Sequence, residues 1–139
     1  AYAGCPWKTQ QRVKQIIDEM YTDEPDGLCG NEDCGQMSAW YVFSTLGFYP
    51  VTPASNIYVL GVPRFATAEV AVGENTTFRV IAEGLSDENC FVSEMLWNGE
   101  PYTRSYITHD MVMGGGELTF RMSAEPNPNF GKDEADRPF

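Results

Sequence analysis

The sequence predicts an α+β fold in which a helical segment precedes a segment of antiparallel strands. The first observation is an apolar periodicity of helical type near the start of the chain. Its residues recur at i, i+3, i+4, i+7 and i+8: Val13, Ile16, Ile17, Met20 and Tyr21. The second observation is a change after Pro53 to short runs rich in β-branched and aromatic residues. The third is Asn98-Gly99 between two such runs, a pair typical of a type I′ hairpin turn.

Two helices are predicted within residues 1–53. The first spans Thr9 to Tyr21 with Thr9 as its N-cap, and the segment TDEPDGLCGN after it is a loop because it holds proline and turn-forming residues. The second spans Gln36 to Leu46 and ends at Gly47. It is apolar on nearly every face, which is expected of a helix buried inside something larger than this chain.

The strands are predicted within residues 54–125. Six runs follow one another: NIYVLGV, AEVAV, FRVIAEG, FVSEMLW, PYTRSYI and ELTFRMS. Runs at this spacing indicate an antiparallel sheet or sandwich. The polar, proline-rich tail of residues 126–139 is predicted to be unstructured at its end.

Composition and charge exclude several classes of function. With 20 acidic and nine basic residues the net charge is −11, which repels the phosphate backbone, so no nucleic-acid partner is expected. No apolar run approaches the roughly 20 residues of a membrane span. The four cysteines lack zinc-site spacing, and their spacing leaves both a Cys29–Cys34 disulfide and free thiols open. The chain begins without an initiator Met or a leader, so we expect a fragment.

The loop from Gly27 to Gly35 carries the chemistry-bearing residues. Asn31, Glu32 and Asp33 stand together there and offer oxygen atoms that suit a hard cation or the activation of a water. The alternative is a purely structural role, in which Asp33 is the N-cap of the second helix and accepts hydrogen bonds from its first amides. The loop glycines allow a close approach to a ligand or simply a tight turn.

Three tryptophans could stack on a sugar ring. Trp40 lies in the middle of a helix and Trp97 in a strand, so both are assigned to the core. Trp7, just before the start of the first predicted helix, is the candidate for substrate contact.

Two long stretches resemble the C-terminal part of glycoside hydrolase family 92: YAGCPWKTQQRVKQIIDEMYTDEPDGLCGNEDCGQMSAWYVFSTLGFYPV and WNGEPYTRSYITHDMVMGGGELTF. Members of this family are calcium-dependent, inverting exo-α-mannosidases found chiefly in bacteria. The resemblance implies an N-terminal β-sandwich followed by an (α/α)6 toroid. Residues 1–53 would supply the last helices of that toroid, and the strands would follow them.

The resemblance also implies roles for the loop residues. An aspartate at the position of Asp33 is the general base, and some members carry an aspartate where this chain has Asn31. Glu32 would support the base by orienting water or cation. An inverting enzyme also needs a carboxylic acid on the opposite face of the sugar, and a neighbour of Asp33 cannot readily reach it. The resemblance implies that the acid is a glutamate upstream of the region matched here, because no residue of this chain matches its motif. Calcium is the expected cofactor, with Asn31 and Asp33 as candidate ligands.

Two functions are compared on these grounds. The first is the C-terminal part of an exo-α-mannosidase that supplies the base and acts on mannose-containing glycans such as N-glycans. We expect an α-1,2 linkage, an inactive isolated fragment, and a periplasmic or secreted bacterial parent whose other segments are its partners. The alternative is a non-catalytic, calcium-dependent glycan-binding module in which Glu32 and Asp33 hold the ion.

Overall fold

The computed structural model describes all residues from Ala1 to Phe139. Helices α1 (Pro6–Met20) and α2 (Gln36–Leu46) come first, and a 3₁₀ turn (Asp33–Gly35) precedes α2 directly. The strands are β1 (Phe48–Tyr49), β2 (Ile57–Leu60), β3 (Thr67–Gly73), β4 (Thr76–Glu83), β5 (Phe91–Trp97), β6 (Glu100–Pro101), β7 (Tyr106–Thr108) and β8 (Gly116–Ser123). Helix α3 (His109–Gly114) joins β7 to β8, and a second 3₁₀ turn (Glu134–Asp136) lies near the end. None of the helices is both long enough and apolar enough to cross a membrane.

The strands form two sheets. A three-stranded antiparallel sheet has the order β1-β2-β7, and a five-stranded sheet has the order β3-β4-β8-β5-β6. The α+β prediction is confirmed, but the prediction of a wholly antiparallel sheet is wrong. Strand β8 pairs in parallel with β4, from Phe78 opposite Gly116 to Glu83 opposite Arg121. The reason is that β8 inserts between β4 and β5, which run in opposite directions, so it can be antiparallel to only one of them.

The hairpin prediction is confirmed. Asn98 and Gly99 have φ values of 49° and 83°, as a type I′ turn requires, and they join Trp97 to Glu100 across the β5–β6 pair. The predicted strand PYTRSYI is wrong as one element. It divides into β6 and β7, which belong to different sheets, and β1 and α3 were not predicted.

The core lies in the β segment. Its 14 buried apolar residues all fall between Phe48 and Phe130, and Phe78, Ile107, Leu118 and Phe120 are fully buried. Burial alternates along β4, as expected of a sheet with one solvent-exposed face. Phe78, Val80 and Ala82 are buried, while Arg79 is exposed.

The C-terminal tail contributes to this core, so the prediction of an unstructured end is wrong. Phe130 and Pro138 are buried. The Ser105 amide donates to the Asp136 carbonyl at 2.8 Å, which fixes the tail against the start of β7. Burial of Phe130 and Pro138 together with this hydrogen bond orders a polar segment that has no sequence periodicity of its own.

Helix α1 starts earlier than predicted. Cys5 occupies the N-cap position without a side-chain cap and Pro6 follows it, so the N-cap prediction for Thr9 is wrong. Proline is favoured at the first helical position because it has no amide to leave unpaired. The helix packs on the β segment through Gln10, which is 1% exposed and whose Oε1 accepts a hydrogen bond from the Val92 amide at 3.2 Å.

Helix α2 has the predicted bounds and ends at Gly47, whose left-handed φ of 98° lets its amide bond to the last carbonyls of the helix. Its buried residues are the polar Ser44 and Thr45, whereas Val42 is 56% exposed. Much of the apolar surface of α2 is therefore not covered by the rest of this chain.

Candidate active site

The loop between α1 and α2 is a tight turn held by backbone hydrogen bonds. The Thr22 amide donates to the Gly27 carbonyl at 3.0 Å, and the Gly27 amide donates to the Glu24 carbonyl at 2.9 Å. A Cβ atom on Gly27 would lie 2.2 Å from the Thr22 carbonyl oxygen. Residue 27 must therefore be glycine for the turn to close, and this need explains the first loop glycine without a ligand.

The junction of the loop with α2 has an unusual backbone. Cys34 and Gly35 are consecutive left-handed residues, with φ values of 59° and 86°. A left-handed non-glycine residue is uncommon and costs conformational energy. The Glu32 carbonyl accepts the amides of Gly35 and Gln36 at 3.0 and 2.9 Å, so the chain closes tightly around Asp33.

The side chain of Glu32 provides the cap of α2. Both of its carboxylate oxygens lie 3.2 Å from the amide nitrogen of Ser38, in the first turn of the helix. The amides of a first turn have no partner inside the helix and need one from outside. The capping alternative for Asp33 is therefore wrong. The two left-handed residues that separate Asp33 from α2 change the direction of the chain, and the residue before Asp33 takes the capping role.

Asp33 is exposed, and its carboxylate forms none of the side-chain hydrogen bonds of the junction. Asn31 is also exposed, and only its main-chain carbonyl is used, by Gln36 Nε2 at 3.4 Å. Asp33 and Asn31 thus present a carboxylate and a carboxamide to the outside without internal partners, as do the exposed carboxylates Asp23, Glu24 and Asp26 earlier in the loop. Such a carboxylate can accept a proton from water or contribute an oxygen to a cation.

These residues do not make a complete calcium site. The chain holds no group of three or more acidic, histidine or cysteine side chains placed to bind a metal ion. Calcium takes six to eight oxygen ligands, and Asn31 and Asp33 could supply only a part of them. All four cysteines are free, and Cys29 and Cys34 are exposed thiols.

An aromatic cluster packs at the start of the loop, where α1 meets α2. The ring of Tyr21 stacks on Trp40 with centroids 5.5 Å apart and lies 5.0 Å from the ring of Tyr41. Its hydroxyl donates to the Met37 carbonyl at 3.2 Å. Burial, followed by the nearby Cys29 and Glu32, raises the pKa of Tyr21 above its ordinary value. Tyr21 therefore remains a neutral donor and joins the end of α1 to the start of α2.

A cleft of about 610 Å³ opens between this loop and α2. Its walls combine aromatic, aliphatic and polar groups: Tyr21, Thr22, Asp23, Leu28, Ser38, Tyr41 and Val42. A mixture of this kind is typical of sites for small polar ligands. Asn31, Glu32 and Asp33 do not line this cleft, and two of the residues that do, Ser38 and Tyr41, were not among those that the sequence singled out. Their i, i+3 spacing on α2, one turn after the loop carboxylates, is the signal that could have found them.

Trp7 lies apart from the loop. It is half-buried in the first turn of α1, with Lys8 Nζ 5.2 Å from its ring centroid. The loop follows the other end of this helix, about 20 Å away at 1.5 Å per residue. The structure therefore brings Asn31, Glu32 and Asp33 together but does not bring Trp7 to them.

A family model and a curated protein sequence both match this chain. Residues 1–124 match the family model described as the glycosyl hydrolase family 92 catalytic domain. An uncharacterized secreted glycosidase of Arthroderma benhamiae is 29% identical over 140 residues, which cover 99% of this chain and 18% of that protein.

Two similar solved structures are named as mannosidases. A family GH92 inverting mannosidase from Bacteroides thetaiotaomicron is 41% identical, with a TM-score of 0.93 over 99% of this chain and 19% of that one. A second family GH92 α-mannosidase from that species gives the same identity, TM-score and coverage, and has also been solved in complex with mannoimidazole. The chain thus spans about a fifth of the length of these relatives.

The family match covers α1, α2, the loop between them and nearly all of the β segment. The Glu32 cap, the exposed Asp33 and the cleft between the loop and α2 all lie within it. This chain belongs to glycoside hydrolase family 92 and represents a part of its catalytic domain.

Proposed function

We propose that this chain works within a longer polypeptide as the C-terminal part of an inverting exo-α-mannosidase, which removes terminal α-mannose from glycans. A glycoside hydrolase role follows from the family. The finer assignment is supported by the relatives named as mannosidases, one of them inverting. The observation that carries it is the exposed, hydrogen-bond-free carboxylate of Asp33 in a loop that the family match includes.

Asp33 is the proposed general base. In an inverting glycosidase a carboxylate takes a proton from the water that attacks the anomeric carbon. A carboxylic acid about 6.5 to 9.5 Å away protonates the leaving oxygen from the other face. Glu32 is bonded to the amide of Ser38 and does not fill that role. The proposed acid is a glutamate of a segment outside this chain, as the family resemblance implies, while Asn31 and Glu32 support the base.

The remaining segments of the polypeptide are the proposed partners of the helices. We propose that α1 and α2 are the last helices of an (α/α)6 toroid that follows an N-terminal β-sandwich. The 56% exposure of Val42 on a helix that is apolar nearly all round supports this, because such a helix is expected to be buried within a larger structure. The coverage of only about a fifth of the relatives supports it as well.

The proposal also covers a calcium ion, the glycosidic linkage that is cleaved and the cellular location of the full-length polypeptide. Asn31 and Asp33 would add oxygen ligands to a calcium ion whose other ligands lie outside this chain, and none of the steps above depends on the ion. An α-1,2 linkage is the proposed target. Export from the cell, to the periplasm or the medium, is supported by the relative named as secreted. The binding-module alternative gains no support, because the Glu32 carboxylate is bonded to the helix.

The test is hydrolysis of α-linked mannobioses by the full-length polypeptide, followed by proton NMR. We expect β-mannose to appear first, because inversion at the anomeric carbon converts an α-mannoside into the β anomer. Initial release of α-mannose, or no release of mannose, would contradict the proposal. Thorough removal of calcium with a chelator should lower the rate, and full activity without the ion would remove calcium from the account.

The isolated chain gives a second test. We expect it to show no hydrolysis, because it lacks the acid and most of the toroid. Robust turnover by the purified 139 residues would overturn this division of roles.

A further inference from the structure

We infer that Glu32 is the positioning residue for Asp33, acting through its hydrogen bond to the first turn of α2 rather than by contact with water or a cation. This inference rests on the proposed role of Asp33 as the base. It changes the supporting role that the sequence suggested for Glu32, because the carboxylate that would orient a ligand is engaged with the helix.

Glu32, which precedes Asp33, is hydrogen-bonded to backbone amides that follow Asp33. The main-chain carbonyl of Glu32 accepts the amides of Gly35 and Gln36, and its carboxylate accepts the amide of Ser38. One residue thus holds three amides that follow Asp33 in the chain. Asp33 itself makes none of these bonds, so its orientation is set by the backbone around it.

The backbone at this point needs such an anchor. Cys34 has a left-handed φ of 59°, a conformation that a non-glycine residue keeps only when its surroundings enforce it. The negative charge of Glu32 also lies at the N-terminal end of α2, where the helix dipole favours it. Without the side-chain bond, the first turn of α2 has no cap, since Gly35 at the N-cap position provides no side chain.

The fold offers nothing else to replace this bond. Gln36 Nε2 reaches the Asn31 carbonyl, but this bond is long at 3.4 Å and does not involve a helix amide. Loss of the Glu32 carboxylate therefore allows residues 33–38 to relax toward ordinary φ values. A shift of about 1 Å in a catalytic group can lower the rate about 10²-fold, so even a small relaxation is measurable.

The experiment compares Glu32→Ala, Glu32→Gln and Glu24→Ala in the full-length polypeptide, with kcat and KM measured on an α-linked mannobiose. Glutamine keeps an oxygen that accepts from Ser38 but has no charge. We expect Glu32→Ala to lower kcat at least about 10-fold with little change in KM, and Glu32→Gln to recover most of that loss. Glu24, an exposed carboxylate of the same loop, is the matched control, and its alanine variant should keep the wild-type kcat.

Two results would overturn the inference. If Glu32→Gln is as slow as Glu32→Ala, the charge of Glu32 acts on water or a cation. If Glu32→Ala keeps a normal kcat, the cap does not matter for catalysis.

A readout without activity separates this inference from the proposed function. In the isolated chain, hydrogen exchange of the Ser38 amide should accelerate in Glu32→Ala, and should keep the wild-type rate in Glu32→Gln and in Glu24→Ala. An unchanged exchange rate in Glu32→Ala would show that the bond does not exist. If the bond is present but Asp33→Asn remains active, the base assignment fails while the cap stands.

Discussion

The β segment and the helical segment of this chain are stabilised in different ways. The β segment buries a continuous apolar core, with Phe78 and Phe120 completely excluded from water. The helical segment, residues 1–47, buries two apolar side chains, Pro6 and Ile17, while the apolar Val42 is 56% exposed. The resemblance to mannosidases extends over both segments, but the proposed catalytic residues lie only in the loop of the helical one.

The difference shows where stability and proposed function reside. The β segment holds nearly all of the buried apolar side chains of this chain, and their burial stabilises it. The helical segment depends on a few specific contacts, namely the Gln10 bond to β5, the Tyr21 stack and the Glu32 cap. Sites commonly lie on loops that a rigid scaffold positions, and the β segment is the rigid part here.

The largest effect is expected from a cavity in the β core. Phe120→Ala removes a fully buried ring of the hydrophobic core and should lower the free energy of unfolding by about 3–5 kcal/mol. Urea denaturation of the isolated chain, followed by tryptophan fluorescence, measures this loss. Val42→Ala, at an exposed position of α2, is the control and should change the free energy by less than about 0.5 kcal/mol. Comparable losses in both variants would abolish the contrast between the segments.

A smaller effect is expected where the two segments meet. Gln10→Leu leaves the buried amide of Val92 without an acceptor, which should cost about 1–3 kcal/mol of unfolding free energy. The adjacent Gln11 is exposed, so Gln11→Leu makes the same chemical change without the same loss. If the denaturation midpoints of the two variants agree, Gln10 does not join the helix to the sheet.

The loop gives the smallest stability effect. Gly27→Ala places a Cβ against the Thr22 carbonyl and forces the turn open, at a cost of about 1 kcal/mol. Gly30→Ala meets only the sulfur of Met37 at an ordinary 3.6 Å and should be nearly neutral. Amide hydrogen exchange of residues 22–28 should increase in the first variant alone. Equal protection in both would mean that the turn does not depend on residue 27.

Local signals in the sequence predicted the local features well. The bounds of α2 follow from Gly47, which can adopt the left-handed C-cap, and the β5–β6 turn follows from Asn98-Gly99. Features set by distant contacts were missed. The parallel pairing of β8 with β4 depends on a crossover that no run of residues encodes, and the order of the tail depends on where Phe130 is buried.

The candidate site was predicted in part. The sequence identified Asn31, Glu32 and Asp33 as a group, because three oxygen-bearing side chains on a glycine loop are a local pattern. It did not identify which of them caps α2. That choice depends on the left-handed backbone at Cys34, a residue type for which this conformation is uncommon.

The most direct test of the account is the kcat of Asp33→Asn in the full-length polypeptide on an α-linked mannobiose. The amide keeps the size of the side chain but cannot take a proton from water near neutral pH. We predict that kcat falls at least about 10²-fold, with little change in KM and an unchanged melting temperature, because the Asp33 carboxylate makes none of the hydrogen bonds of its loop. Glu24→Gln, the same chemical change elsewhere in the loop, should keep the wild-type kcat. A near-normal kcat for Asp33→Asn would contradict the assignment of Asp33 as the base.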